Sequence, residues 1–422
     1  MSTGGNPGHG ATSVPDELVV DRPYENEVVA RLADVSLDHE VRARSRELDL
    51  SRISVHGLDE AAPTLRAEAD RLAGSPGSEP WRAVFPRPAD QASPLDLLLY
   101  YIRFRTAQTN AGWVFEMGKN RHVRSVIGLP HVSGGGVLYP VPVPPPAERA
   151  GRPAENSCLV GLLDTKIFPH PSLAGRYLAA DGATLPEAGP FPHWAGHATF
   201  VAGRILAEAP EARLMVRSVL DNDNAAATAW DTALQMVAFR DSGVKILNLS
   251  LGCHTADGVA PLILSRAVEL LTPEMVIVAA AGNHGDPKLN GPDSPVDQRA
   301  SVWPAALAMV EAVGADNDKQ PPELASFSPQ VRWTAFLAPG ENVVGPYLRG
   351  PVSVHTRDKG IVNTEFPDGW ARWSGTSFAA GTVTGRLARM TARNGGDPHR
   401  ALRDLRQDLA AAGGSDAIRL AH

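Results

Sequence analysis

Three stretches of this chain are apolar without interruption: CLVGLLD (158–164), KILNLSLG (245–252) and MVIVAAAGN (275–283). A strand with one wet face alternates apolar and polar residues. A continuous run marks a strand covered on both faces, the pattern of a parallel sheet between helical layers. Parallel neighbours need long crossovers, and the segments between these runs supply them. HATFVAGRILAEA (197–209), AWDTALQMVAFRDSG (229–243), APLILSRAVELL (260–271) and TSFAAGTVTGRLARMTARNGG (376–396) have helical period, several ending at a Gly stop. RLMVRSVL (213–220) and ALAMVEAVGA (306–315) read as further strands. The alternation predicts an α/β, doubly wound, mostly parallel sheet with helices on both faces. In that architecture ligands gather beyond the carboxyl ends of the strands.

Polar residues stand at those ends. Asp164 closes the first run, and His197 opens the helical segment GHATFVAG. Ser250-Leu251-Gly252 closes the second run and Asn283 the third. WSGTSFAAG (373–381) opens the last long helix with Thr376 and Ser377. Each has a purely structural reading: a turn Asp, a capping His, a turn Asn beside Gly282, a hydroxyl satisfying the free N–H groups of a first turn. Together they form a set with complementary chemistry. Acyl transfer needs a hydroxyl nucleophile, an imidazole to take its proton, a carboxylate to fix the imidazole and a donor for the oxyanion. Ser377, His197, Asp164 and Asn283 fill those roles in that order.

These motifs resemble the subtilisin-like serine proteases, the subtilases (peptidase S8 family), over about residues 158–393. LLDTK matches the family's aspartate motif, GHATFVAG its histidine motif, AAAGN its oxyanion motif and SGTSFAAG its serine motif. The resemblance implies a serine endopeptidase with catalytic Asp164, His197 and Ser377 and oxyanion donor Asn283. It also implies substrate binding along Ser250, Leu251 and Gly252 and against Ala280, Ala281 and Gly282. Three positions depart from the family pattern: Lys166 after the Asp-Thr pair, Phe200 in place of a second His, and Gly381 in place of a Pro. None removes a catalytic group, and they mark a divergent branch. Trp113 and Lys119-Asn120-Arg121 resemble the N-terminal part of intracellular members of actinobacterial type.

The remaining sequence bounds the alternatives. Residues 1–17 are rich in Gly, Ser and Pro and are expected to be disordered. Residues 18–130 form a smaller mixed α/β region, accessory or pro-like, that either assists folding, inhibits or binds a partner. It contains helical spacing at 58–74 and a Ser-capped apolar helix at 93–108, and short strands are expected over 112–128. Residues 131–157 are a Gly- and Pro-rich linker, and 158–422 the catalytic domain. A net charge of −7 argues against nucleic acid as a partner. Two cysteines, Cys158 and Cys253, are too few for a disulfide framework and read as buried apolar residues. No signal peptide or membrane-spanning stretch is read, so the expected place is the cytoplasm and the expected partner a protein or peptide, either one specific cytosolic target or unfolded chains. The chemistry requires no cofactor. DNDN (221–224) is the nearest match to a structural calcium loop and reads better as a solvated turn. A catalytically silent, peptide-binding protein with this fold is the alternative; a nucleotide-binding protein would need a Gly-rich phosphate loop after a strand, which is missing.

Overall fold

The apolar runs do form buried strands in the computed structural model, which describes residues 13–75, 84–125, 139–146, 157–222, 224–255, 257–286, 296–317, 319–356, 359–411 and 418–419. These residues cluster in two units. The smaller holds 11–122 with 261–266; the larger holds 123–260 and 267–422.

The smaller unit alternates strands β1 (Ser13–Asp21), β2 (Asp38–Ser45), β3 (Leu50–His56) and β4 (Met117–Ser125) with helices α1 (Glu25–Asp34), α2 (Leu58–Gly74) and α3 (Pro94–Thr109). Its antiparallel sheet has the order β4-β1-β3-β2. Leu98, Ile102 and Phe104 of α3 are fully buried with Leu18, Val28, Ile53 and Leu65. A capping box fixes the start of α3: Ser93 Oγ accepts from the Asp96 N–H at 3.2 Å, and the Asp96 carboxylate accepts from the Ser93 N–H at 3.3 Å. The expectation of disorder over 1–17 fails for Ser13–Glu17, the first half of β1. Local composition could not show this, because the order comes from distant partners. Glu17 accepts from Asn120 at 2.6 Å and Asp16 from Ser54 at 2.9 Å. Residues 1–12 lie outside the described residues. Instead of short strands over 112–128, Met117–Ser125 is one strand; 126–128 lie outside the description.

The larger unit is built on an eight-stranded parallel sheet, counted among the described residues. Its strands are β5 (Leu159–Asp164), β6 (Tyr177–Ala179), β7 (Arg213–Ser218), β8 (Ile246–Leu249), β9 (Val276–Ala280), β10 (Val310–Asp316), β11 (Phe336–Pro339) and β12 (Ile418–Arg419). The order is β12-β11-β10-β9-β8-β5-β7-β6. The chain first adds strands on one side of β5 and then, from β8 onward, on the other. The reversal lies between β5 and β8, where a crevice opens in folds of this kind. Helices α4 (His197–Glu208), α5 (Ala229–Val237), α6 (Leu262–Leu271), α7 (Thr376–Arg393) and α8 (Pro398–Ala411) complete the crossovers. α6 begins among the residues of the smaller unit and ends in the larger.

Two sequence expectations are adjusted. α5 stops at Val237, six residues before the Gly stop, and turns carry the chain onward. KILNLSLG is not one strand: β8 ends at Leu249, Ser250 breaks the ladder, and Leu251–Gly252 pairs elsewhere. Helix α7 is buried along most of its length, from Thr376 through Ala388 apart from Arg386. It packs on α4 through two glycines. A Cβ on Gly381 would lie 3.1 Å from Arg204 Cβ; one on Gly385 would press into the Ile205 carbonyl and lie 2.6 Å from Glu208 Cβ. The Gly that replaces the family's Pro thus sits where two helices approach closely. Both cysteines are free and buried. Among the described residues no helix is long and apolar enough to cross a membrane.

Candidate active site

Asp164 ends β5 at the reversal point, and its backbone carbonyl is held by the N–H groups of Val219 and Leu220 just beyond the neighbouring β7. The next residue, Thr165, accepts through Oγ1 from the Ala198 N–H at 3.2 Å and so ties the strand end to the first turn of α4. His197, the first residue of α4, thereby faces Asp164. Its Nδ1 donates to Asp164 Oδ1 at 2.6 Å, and both side chains are fully buried. The same oxygen accepts from the Thr165 N–H at 2.7 Å. The carboxylate accepts, so Nδ1 carries a proton, and the neutral ring would present its lone pair at Nε2. The imidazole is walled by Trp373, edge-on at 6.0 Å between centroids, and by Phe378 at 5.8 Å. Phe200 packs behind both, 4.3 Å from Phe378 and 5.7 Å from Trp373, so this departure from the family pattern is a core residue. Lys166 is half-buried.

Ser377 lies in the first turn of α7. The helix is capped by Gly375, with no side-chain cap bond, so the capping role that the sequence allows for Thr376 or Ser377 is not used. Thr376 turns instead to Asn283. The Asn283 Oδ1 accepts from the Thr376 N–H at 2.9 Å and from Thr376 Oγ1 at 3.0 Å. Thr376 Oγ1 also accepts from the Gly282 N–H at 3.2 Å. With Oδ1 satisfied twice over, the amide flip is fixed by its partners and Nδ2 must face the other way. A Cβ on Gly375 would sit 3.5 Å from that nitrogen, so glycine keeps the space before the donor clear. Ser250 Oγ donates to the Ser377 carbonyl at 3.2 Å and accepts from Asn248 Nδ2 at 3.0 Å; Thr384 Oγ1 donates to Asn248 Oδ1 at 2.9 Å.

The fold therefore joins Asp164 to His197, Asn283 to the residue before Ser377, and Ser250 to Ser377 itself. Four buried polar atoms of this site make no hydrogen bond among the described residues: Asp164 Oδ2, His197 Nε2, Asn283 Nδ2 and Ser377 Oγ. A buried unpaired donor or acceptor costs about 1–3 kcal/mol, so four in one site need an explanation. Nucleophile–base bonds are often long without substrate and tighten only when it binds.

Leu251 and Gly252 form a buried ladder edge that is taken by the chain's own residues. Leu251 pairs antiparallel with Ser125 and Gly252 with Arg124, and the Ser125 N–H donates to the Ala225 carbonyl at 2.9 Å. Ala280 ends β9, and Ala281 and Gly282 follow it as the opposite wall, all buried. Asp221 of the DNDN stretch spends its carboxylate on the N–H groups of Asn224 and Ala226, at 2.6 and 3.1 Å. From the sequence Thr376 reads only as a cap, and Asn248 and Thr384 carry no role. A hydroxyl in a helix looks like a cap or a surface group until the partner strand is placed beside it.

The fold is a subtilisin-like α/β scaffold, and the chain belongs to the subtilase family: the family model for Peptidase_S8 matches residues 155–419. Among curated proteins, the chain is 31% identical over 250 residues to a thermophilic serine proteinase of Bacillus sp. (strain AK1), covering 56% of this chain and 52% of that protein. It is 27% identical over 245 residues to the major intracellular serine protease of Bacillus subtilis (strain 168), covering 54% and 66%. The chain thus spans between about half and two thirds of these relatives. Among solved structures, fervidolysin from Fervidobacterium pennivorans superposes with a TM-score of 0.57 at 16% identity, over 97% of this chain and 58% of that one, a likeness of fold.

Proposed function

We propose that this chain is a serine endopeptidase that hydrolyses peptide bonds through Asp164, His197 and Ser377 and an acyl-enzyme intermediate. The observation that carries the reading is that His197 Nε2, Ser377 Oγ and Asn283 Nδ2, three of the four unpaired buried atoms of this site, are gathered where α4, β9 and α7 meet the carboxyl end of one sheet. They are the base, the nucleophile and the oxyanion donor of one reaction. Ser377 Oγ attacks the scissile carbonyl while Nε2 takes its proton. Asp164 stabilises the imidazolium so formed and keeps the ring from turning. Asn283 Nδ2 and the Ser377 backbone N–H receive the oxyanion. The proton then passes to the leaving amine, and water repeats the sequence on the acyl-enzyme. No step calls on a metal or organic cofactor.

The substrate is a protein or peptide that adds an extended strand at Leu251–Gly252, the edge to which Arg124 and Ser125 are paired. Residues 18–130 act on this reading as a pro-like region, since the strand that ends it occupies the substrate's edge and must leave before a substrate binds. We place the activity in the cytoplasm, against a specific target or unfolded chains. A fluorophosphonate probe tests the proposal. It is expected to label Ser377 alone, with no label in Ser377→Ala. If Ser377 stayed unlabelled both in the intact chain and after mild proteolysis ahead of Val141, the chain would instead be a silent peptide-binding relative.

A further inference from the structure

We infer that residues 300–303 form a crossbar that closes the pocket between the two substrate walls, so that the residue on the acyl side of the cleaved bond must be small: Gly, Ala or Ser. The inference rests on the endopeptidase reading above and assigns the specificity of that same site.

A strand in the register of Arg124 and Ser125 sets its next residue opposite Ser250, whose hydroxyl holds the Ser377 carbonyl. The side chain of that residue has one way in, between Leu251–Gly252 and Ala281–Gly282, because β8 and β9 are sheet neighbours and their continuations run side by side. Four consecutive residues stitch the far end shut, three of them hydrogen-bonded to a wall. His284 Nε2 donates to the Ala300 carbonyl at 3.0 Å, and His254 Nδ1 donates to the Ser301 carbonyl at 3.1 Å. Trp303 and Cys253 exchange two backbone bonds of 2.9 Å. Val302, between them, is 2% exposed.

The fit against Gly282 gives the depth. A Cβ built on Gly282 would lie 2.7 Å from His284 Nδ1 and 2.9 Å from Val302 Cγ2. Both side chains therefore stand against the glycine's own backbone, where a deep pocket would be open. Gly282 has φ of 107°, so the wall cannot acquire a side chain without strain either. The His254 and His284 rings meet edge to face at 4.6 Å and support one another. Burial lowers both imidazoles, His284 to about 4, so they are neutral near pH 7 and offer no charge to an acidic or basic side chain.

Peptidyl diphenyl phosphonates that differ only in the side chain placed there (Ala, Leu or Phe) test this on the whole protein nicked by mild proteolysis ahead of Val141, which frees the substrate edge, read as the rate of adduct formation on Ser377. The Ala probe is expected to react at least about tenfold faster than the Leu and Phe probes, since a few methylenes without room are worth that much or more. Val302→Ala should narrow the ratio at least about fivefold by admitting the larger groups; His284→Ala should do the same where Val302→Ala folds poorly. Equal or faster labelling by the Leu or Phe probe in the natural chain would overturn the inference, as would an unchanged ratio in both folded variants. If a plain fluorophosphonate labels Ser377 and no peptidyl probe does, the pocket assignment alone is wrong. If no probe labels Ser377, the endopeptidase reading falls, and this inference with it.

Discussion

Replacing Gly385 with Ala should destabilise this protein, although the same change in an ordinary helix interior gains about 1 kcal/mol. The sign is decided by what the new methyl meets. It would press into the Ile205 carbonyl and stand 2.6 Å from Glu208 Cβ, where carbons are comfortable at about 3.5–4.0 Å. Neither obstacle is the mobile end of a side chain, so α7 and α4 must part by roughly 1 Å. Overpacking of this kind costs about 1–3 kcal/mol or more. Two fixed obstacles at once put the cost in the upper part of that range, about 2–3 kcal/mol; after subtracting the helix gain of about 1 kcal/mol, a net loss of about 1–2 kcal/mol remains, or roughly 5 °C in melting temperature for a unit of this size. The same displacement reaches the chemistry. Ser377 and His197 lie about two turns upstream on the two helices that are pushed apart. A full 1 Å misplacement costs about a hundredfold in rate; diluted along the lever, about tenfold is expected in kcat. Gly381→Ala is milder, its Cβ meeting Arg204 Cβ at 3.1 Å, and should be near neutral. At Gly74, at the end of α2, nothing lies within 4 Å, so Ala there should stabilise by up to about 0.5 kcal/mol. Thermal melting at one scan rate, with kcat from a peptide substrate, ranks the three. A Gly385→Ala protein that melts at or above the parent with unchanged turnover would refute the argument that this helix contact positions the site.

Asn283→Ala should lower kcat about a hundredfold with KM little changed, since one such donor is worth about 3 kcal/mol in subtilisin and that value is adopted here; single-turnover acylation is the readout. Thr376→Val removes one of the two donors to Asn283 Oδ1 and the acceptor for the Gly282 N–H. About tenfold in kcat is expected, with the Thr376→Ser enzyme near normal because the hydroxyl returns. Stability should fall on acidification. Burial depresses His170 to about 4, His193 to about 3 and His284 to about 4. Each has a folded value below the unfolded 6.5, so its contribution is complete above pH 6.5 and is lost as the pH falls from there toward 4, at about 1.4 kcal/mol per pH unit per group. Denaturant midpoints between pH 7 and 4 measure the slope, and a flat profile would contradict the buried-neutral assignment.

What the sequence made legible follows from which constraints are local. A strand buried on both faces must be apolar throughout, so β5, β8 and β9 stand out in the bare chain. Acyl transfer tolerates few residue types, so Asp164, His197, Asn283 and Ser377 could be picked out at strand and helix ends. The break in KILNLSLG was not legible, because Ser250 leaves the ladder to hold the carbonyl of Ser377, a residue 127 positions later. Nor was the order at Ser13–Glu17, where a polar segment gains its partners from β3 and β4. Gly381 looked like a missing Pro and proved to be a helix contact. The pocket is the sharpest case. His284 is adjacent to Asn283 and His254 lies two positions after Gly252, yet the two share no evident partner until Ala300 and Ser301 arrive from another part of the chain to receive their N–H groups. Reaction type is written in residue identity at the ends of elements, whereas specificity is written in how three separate segments share one small volume. On the proposed mechanism and pocket, a chain can therefore keep every catalytic group of its family and still differ in what it cuts through a single side chain such as Val302.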